Sequence, residues 1–218
     1  MKYKNILFDL DGTLTDPYMG ITNSIYHSLI YYPHVSVPKR EELKPFIGPP
    51  LYASYMKYFS MDEKTAHEAV EHYREYYSEK GKLENLLYSG IKEFLFELKE
   101  RGFSVAMATS KPQVFAEHIA EHYGIMESFD YICGSTFDAR LIEKADIIKK
   151  VMDEMGYSAN ETAMVGDTAF DIEGAKQNGI ASVAVSYGYG TENDLKNAEP
   201  DVICESVAEL RSYFIENA

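Results

Sequence analysis

The sequence predicts an α/β protein, a doubly wound parallel sheet with a small all-helical domain inserted after the first strand. Two observations carry that expectation. From about residue 89 to the end, short apolar runs rich in β-branched residues alternate with helical segments. Strands buried on both faces and joined by crossover helices have this pattern. Residues 17–85 break the alternation with helical stretches and no strand run.

The first apolar run, Asn5–Phe8, is stopped by Asp9. Four helical stretches follow, near 20–31, 39–45, 50–59 and 62–79, and residues 17–85 hold 10 of the 18 tyrosines and four of the six histidines. Tyr52, Tyr55 and Tyr58, with the group Tyr73, Tyr76 and Tyr77, are expected to build the core of this insert. Residues 91–101 then carry apolar side chains at Ile91, Phe94, Leu95 and Leu98, with Gly102 as a stop signal. The next runs are Phe103–Ala108, Tyr131–Cys133, Thr162–Val165, Ile180–Val185 and Asp201–Ile203. Helical segments near 113–123, 144–155, 170–178 and 206–215 separate or follow them. The expected division is an α/β core of 1–16 and 86–218 and a helical domain of 17–85, with Pro17 and Gly81 suited to the linkers.

Lysine and arginine number 21 against 35 acids in 218 residues, a formal charge of −14. Such a chain is a poor ligand for nucleic-acid polymers or anionic membranes, since both need cations on the protein. Cys133 and Cys204 form no CxxC and are expected as buried core residues. No run approaches the length of a membrane span, and the start of the sequence lacks the apolar core of a leader, so a cytoplasmic enzyme is expected.

In an open parallel sheet, ligands bind beyond the carboxyl ends of the strands. The residues that stop the apolar runs are therefore informative. They are Asp9-Leu-Asp11-Gly-Thr13, then Thr109-Ser110-Lys111, then Gly166-Asp167 with Asp171 four positions on. One acid after a strand is usually a helix cap or a turn residue. Asp9, Asp11 and Asp167 brought together repel one another and call for a positive partner. Oxygen donors without thiolate or imidazole favour a hard divalent cation, magnesium first.

The segment Asp9-Leu-Asp11-Gly-Thr13-Leu-Thr-Asp16 resembles the first signature of the haloacid dehalogenase-like superfamily of phosphohydrolases. Thr109-Ser110 after a strand, Lys144 ahead of a helix and Gly166-Asp167-x-x-x-Asp171 resemble its three further signatures, in order. The likeness spans nearly the whole chain, and the helical insert stands at one of the superfamily's usual cap positions. Thr109-Ser-Lys-Pro112 and Ile47-Gly-Pro-Pro-Leu51 resemble the second motif and cap loop of the phosphoglycolate phosphatase group.

The resemblance implies a Rossmann-like core, a helical cap and a magnesium-dependent phosphatase acting through a phosphoaspartate. Asp9 is then the nucleophile and Asp11 the acid and base. Thr109 and Lys144 complete the catalytic group, Lys144 pairing with Asp9 and the phosphate. Asp9, Asp167 and Asp171 belong to the metal site with Asp11, whose backbone carbonyl is the implied ligand. Gly12, Thr13, Thr109, Ser110 and Lys111 would bind substrate, the Ser110 N–H at a helix start. In the insert Gly48, Pro49 and Lys57 would do so, with Arg74 a further cation of interest. The expected partner is a small phosphate ester such as phosphoglycolate, and the expected assembly a monomer or weak homodimer. Alternatives are a 5′-nucleotidase, a phosphosugar mutase and a non-enzymatic phospho-aspartate switch, which the large cap and Asp11 oppose. His67 and His72 are five apart, about 140° around a helix, and make no HExxH site. His118 and His122 have zinc-compatible spacing but no third ligand, and Gly188-Tyr-Gly190 is no dinucleotide fingerprint.

Overall fold

A computed structural model describes residues 3–137 and 143–216. Residues 1–2, 138–142 and 217–218 of the expected core segments lie outside the described residues. The chain divides into two compact units, residues 1–16 with 87–218 and residues 17–86.

The α/β unit opens with β1 (Asn5–Phe8) and the short β2 (Thr15–Asp16). Unit two holds α1 (Tyr18–Leu29), α2 (Leu51–Phe59) and α3 (Glu63–Glu79), with 3-10 turns at Arg40–Phe46 and Gly81–Leu83. The chain re-enters the α/β unit through β3 (Leu86–Leu87), which pairs with β2, and α4 (Ile91–Glu100). Then come β4 (Ser104–Pro112), α5 (Gln113–His122), β5 (Tyr131–Ser135) and α6 (Lys144–Met155). The chain closes with β6 (Thr162–Gly166), α7 (Ala169–Gln177), β7 (Ala181–Val185), α8 (Glu192–Asn197), β8 (Val202–Cys204) and α9 (Val207–Ile215).

Six parallel strands form the main sheet in the order β5-β4-β1-β6-β7-β8. Side chains alternate across a strand, so an all-apolar strand needs cover on both faces. Ile6 and Phe8 of β1 pack with Phe94 and Leu98 of α4 and Phe214 of α9, and Phe8 meets Phe94 edge to face at 6.0 Å. Leu7 points the other way, into a second layer with Ile147, Ile148 and Val151 of α6. Each such side chain, fully buried, contributes about 1.5–3 kcal/mol of transfer free energy. Cys133 and Cys204 are both buried. The sheet therefore matches the predicted class, and β1 is its centre. The chain leaves β1 toward β4 on one side and β6 on the other, which opens a crevice at the carboxyl end of β1.

In the helical unit α1 buries Ile21, Ile25 and Leu29, and α3 buries Ala66, Ala69, Val70, Tyr73 and Tyr77. The Asp62 carboxylate caps α3 by accepting the Thr65 N–H at 2.8 Å. Two sequence readings change here. Of the tyrosine row only Tyr55 lies in the core, hydrogen-bonded to Ser28, while Tyr52 and Tyr58 are 36% and 42% exposed. Gly81 is buried, and a Cβ on Gly20 would overlap its carbonyl. It is a close-packing glycine inside the unit, which removes the reason for placing a hinge there. Among the described residues no helix is long and apolar enough to cross a membrane.

Candidate active site

The carboxyl ends of β1, β4 and β6 carry the predicted acids and hydroxyls. The backbone of Asp9 still donates to the sheet, to Val165 O at 2.9 Å, and its Oδ1 accepts the Leu10 N–H at 2.7 Å. The chain then turns sharply at Gly12, whose φ of +84° favours glycine. A Cβ there would also collide with the Asp167 carboxylate, so this glycine is doubly required. Asp167 follows the last residue of β6. Asp171 sits in the first turn of α7, where its Oδ2 accepts the Thr168 N–H at 3.0 Å and the Thr168 hydroxyl at 2.7 Å.

Asp9, Asp167 and Asp171 are all buried, and each offers an oxygen within 4.8 Å of the others. Lys144, the first residue of α6, stands against two members of the cluster. Its Nζ lies 2.9 Å from Asp9 Oδ1, 2.9 Å from Asp171 Oδ1 and 3.0 Å from Ala108 O. Burial opposes its charge, but the Asp171 and Asp9 carboxylates outweigh that and hold the ammonium well above the usual lysine range. Burial pushes the Asp167 carboxyl far up, with the Asp171 and Asp9 charges adding to it. Asp171 is also raised by burial and by Asp9, against the pull of Lys144.

Three carboxylates facing one ammonium leave two negative charges uncompensated in a buried place. A dication bound by oxygens meets both the charge and the donor chemistry. The residues present therefore fit the metal ion that the family implies.

Asp11 stands apart from that group of three. Its Oδ2 pairs with the Lys111 ammonium, and its Oδ1 is buried without a hydrogen-bond partner. Burial raises this carboxyl while Lys111 pulls it down, and the net direction is up. Thr109 is buried, its hydroxyl accepting the Lys111 N–H at 3.2 Å. Thr13, also buried, donates its hydroxyl to Asp167 Oδ1 at 3.2 Å.

A profile of the haloacid dehalogenase-like hydrolases matches residues 6–185. The chain belongs to this family. A 5′-nucleotidase of Pseudomonas aeruginosa is 42% identical over 211 residues, 97% of this chain and 95% of that protein. A phosphoglycolate phosphatase of Vibrio parahaemolyticus is 31% identical over 95% of this chain and 94% of its own. The crystal structure of a predicted phosphatase from Clostridium acetobutylicum superimposes with a TM-score of 0.94 at 42% identity, covering 99% of this chain and 100% of that one. These relatives make the protein a phosphatase, a phosphoric monoester hydrolase of the haloacid dehalogenase-like type.

In this phosphatase the structure brings Asp9, Asp167, Asp171 and Lys144 into one cluster and pairs Lys111 with Asp11. Ser110 is not at a helix start as expected: β4 runs on to Pro112 and α5 begins at Gln113. Gly48, Pro49 and Lys57 belong to the helical unit, where Gly48 has a φ of +106° and the Lys57 ammonium lies 5.0 Å from the Tyr58 ring centre. Arg74 pairs with Glu71 at 2.5 Å. Sequence reasoning missed the segment after β7. There the Tyr189 N–H donates to Asp167 Oδ2 at 2.7 Å. The available signal was the pair Gly188 and Gly190, which starts three positions after the apolar run ending at Val185.

Proposed function

We propose that the protein is a magnesium-dependent phosphatase of a small phosphomonoester, working through a phosphoaspartyl intermediate on Asp9. The observation that carries this reading is the buried cluster of Asp9, Asp167 and Asp171 with Lys144 wedged against two of its members.

An oxygen of Asp9 attacks phosphorus, the new O–P bond forms and the ester P–O bond breaks. The leaving oxygen takes a proton from Asp11, whose raised carboxyl suits it to carry one. Asp11 then accepts a proton from water as that water attacks the phosphoaspartate, which frees inorganic phosphate and restores Asp9. Lys144 holds Asp9 in place and faces the phosphoryl charge, and Thr109 offers a hydroxyl to a phosphoryl oxygen. A magnesium ion held by Asp9, Asp167 and Asp171, with the Asp11 backbone as the family pattern implies, supplies charge neutralisation at the phosphoryl oxygens. The helical unit serves as the cap that selects the leaving group.

Among substrates, the 42% likeness to a 5′-nucleotidase favours a nucleoside 5′-monophosphate. In the helical unit the exposed Tyr52 stacks on His67 at 5.1 Å, an aromatic surface of the kind bases stack on. Phosphoglycolate is the second reading, supported by the 31% identical relative and by the Thr109-Ser-Lys-Pro112 motif.

Phosphate release from nucleoside monophosphates, phosphoglycolate and sugar phosphates, with and without chelator, tests this reading. Rapid release from nucleotides, lost on chelation and restored by magnesium, is expected. Asp9→Asn should lower kcat by about 10³-fold or more with an unchanged circular dichroism spectrum. Near-normal turnover by Asp9→Asn removes the nucleophile assignment, and activity that survives exhaustive chelation removes the metal.

A further inference from the structure

The loop Ser186–Gly190 has the sequence Ser-Tyr-Gly-Tyr-Gly and takes no step in the reaction above. Its backbone is pressed onto Asp167. A Cβ on Gly188 would enter the Asp167 side chain and the Gly12 carbonyl, and one on Gly190 would overlap the Asp167 carbonyl. The two tyrosines tie the same loop to the turn that follows β1. Tyr187 donates its phenol to Thr13 O at 2.9 Å, and Tyr189 donates its phenol to Asp16 Oδ1.

These contacts close a ring. The Tyr189 N–H holds one oxygen of Asp167 and the Thr13 hydroxyl holds the other. The phenols hold Thr13 and Asp16, three residues apart, against the loop. Burial pushes both phenols far up, which keeps them protonated and able to donate. The direction of the Asp167 carboxylate is thus set by a loop whose outer anchor is the Tyr189–Asp16 bond. Partners behind a ligand orient it for its ion, and their loss weakens binding by roughly 10- to 100-fold when they touch the ligand directly.

We propose that Tyr189 is a positioning residue: by anchoring its loop on Asp16 it aims the Asp167 carboxylate and so sets the affinity of the acidic cluster for a divalent cation. The proposal rests on the reading of Asp167 as a ligand of that cation.

The test is calorimetric titration of the substrate-free full chain with Mg²⁺, alongside kcat and KM at varied Mg²⁺. Tyr189→Phe keeps the backbone N–H and the ring but loses the phenol. Its Kd for Mg²⁺ should rise about 3- to 10-fold, below the direct-contact range because the phenol acts at one remove. Saturating Mg²⁺ should restore its kcat, which a merely loosened fold would not allow. Asp16→Ala removes the acceptor and should show a comparable rise. The double variant should bind no more weakly than Tyr189→Phe, because both changes break one bond. Asp167→Asn is the control and should lose binding. If it binds Mg²⁺ as the wild type does, the metal-site reading itself fails. If Asp167→Asn loses binding while Tyr189→Phe keeps the wild-type Kd, the positioning role is overturned. Should Tyr189→Phe not fold, a wild-type Kd in Asp16→Ala overturns it.

Discussion

Asp167 of the α/β unit and Glu75 of the helical unit are both acids ringed by polar partners, yet their carboxyls are displaced in opposite directions. Asp167 is buried beside Asp9 and Asp171, and burial pushes its carboxyl up. The side chain of Glu75 is half exposed. It lies 3.0 Å from His72 Nδ1, 3.2 Å from His27 Nε2 and 3.3 Å from the Tyr31 phenol. His72 and then His27 pull its carboxyl below the usual range. One cluster gathers like charge where water cannot screen it, and the other joins α1 to α3 by satisfied contacts at the surface. The difference separates a site held ready for a ligand from a staple that needs none.

The sharpest way to break this comparison is to remove the ammonium that makes the first cluster tolerable. Lys144→Met leaves Asp9 and Asp171 facing each other in a buried place. Its expected penalty is about 3–5 kcal/mol, read from urea unfolding at neutral pH. Adding Asp171→Asn should recover part of that loss, because the two changes touch one ion pair. A penalty under about 1 kcal/mol would mean that the cluster is not under electrostatic stress.

Asp167→Asn probes the same stress with the opposite sign. An amide keeps the shape and drops the charge, so the metal-free protein should gain about 1–3 kcal/mol near neutral pH. The native carboxyl titrates above its unfolded value of 3.8. The native state therefore holds the extra proton in the window between those two values, and charging Asp167 subtracts stability as pH rises through it. The gain of the variant should shrink as pH falls toward 3.8. Added Mg²⁺ should reverse the ranking, stabilising the wild type and not the variant. Thermal melts with chelator and with Mg²⁺, each at two pH values, measure all three outcomes.

The two clusters were unequally legible in the sequence. Asp9, Asp11 and Asp167 stand out because each closes an apolar run, and a charge at a buried strand end has few structural excuses. Their pairing does not stand out. Lys111 meets Asp11 across 100 positions, and Lys144, which the resemblance paired with Asp9, also meets Asp171, contacts that exist only once the sheet is wound. The six sheet strands were readable because both faces of β1 and its neighbours are apolar. Helix α8 escaped, being six residues long and polar with Leu195 as its buried side chain. Ser110 was misplaced because the apolar run ends at Ala108 while β4 continues to Pro112, pairing there with Ser135 of β5 across a register shift. The tyrosine row of α2 failed for a geometric reason. A spacing of three falls about 60° short of a full turn, so Tyr52 and Tyr58 flank the buried face that Tyr55 occupies. The contacts of Glu75 were invisible, since a surface acid on a polar helix looks like any other.

Glu75→Gln is the mildest of these changes and sharpens the comparison from the other side. The amide keeps a hydrogen-bond acceptor for the helix α1 partner but loses the charge that draws the histidines. Because Glu75 is exposed and screened, the melting temperature should fall by only about 1–3 °C at neutral pH. Its carboxyl titrates below the usual 4.5, so the contribution is present above that value and is lost as pH falls through the lowered one. Wild type and variant should therefore converge in acid, whereas the Asp167 pair converges by the wild type catching up. High salt should narrow the gap at neutral pH, since the charge is within reach of counter-ions. Phosphate release at saturating Mg²⁺ should be unchanged. A kcat that fell tenfold in Glu75→Gln would show that the staple is part of the chemistry, and the contrast between the two acid clusters would then have to be redrawn.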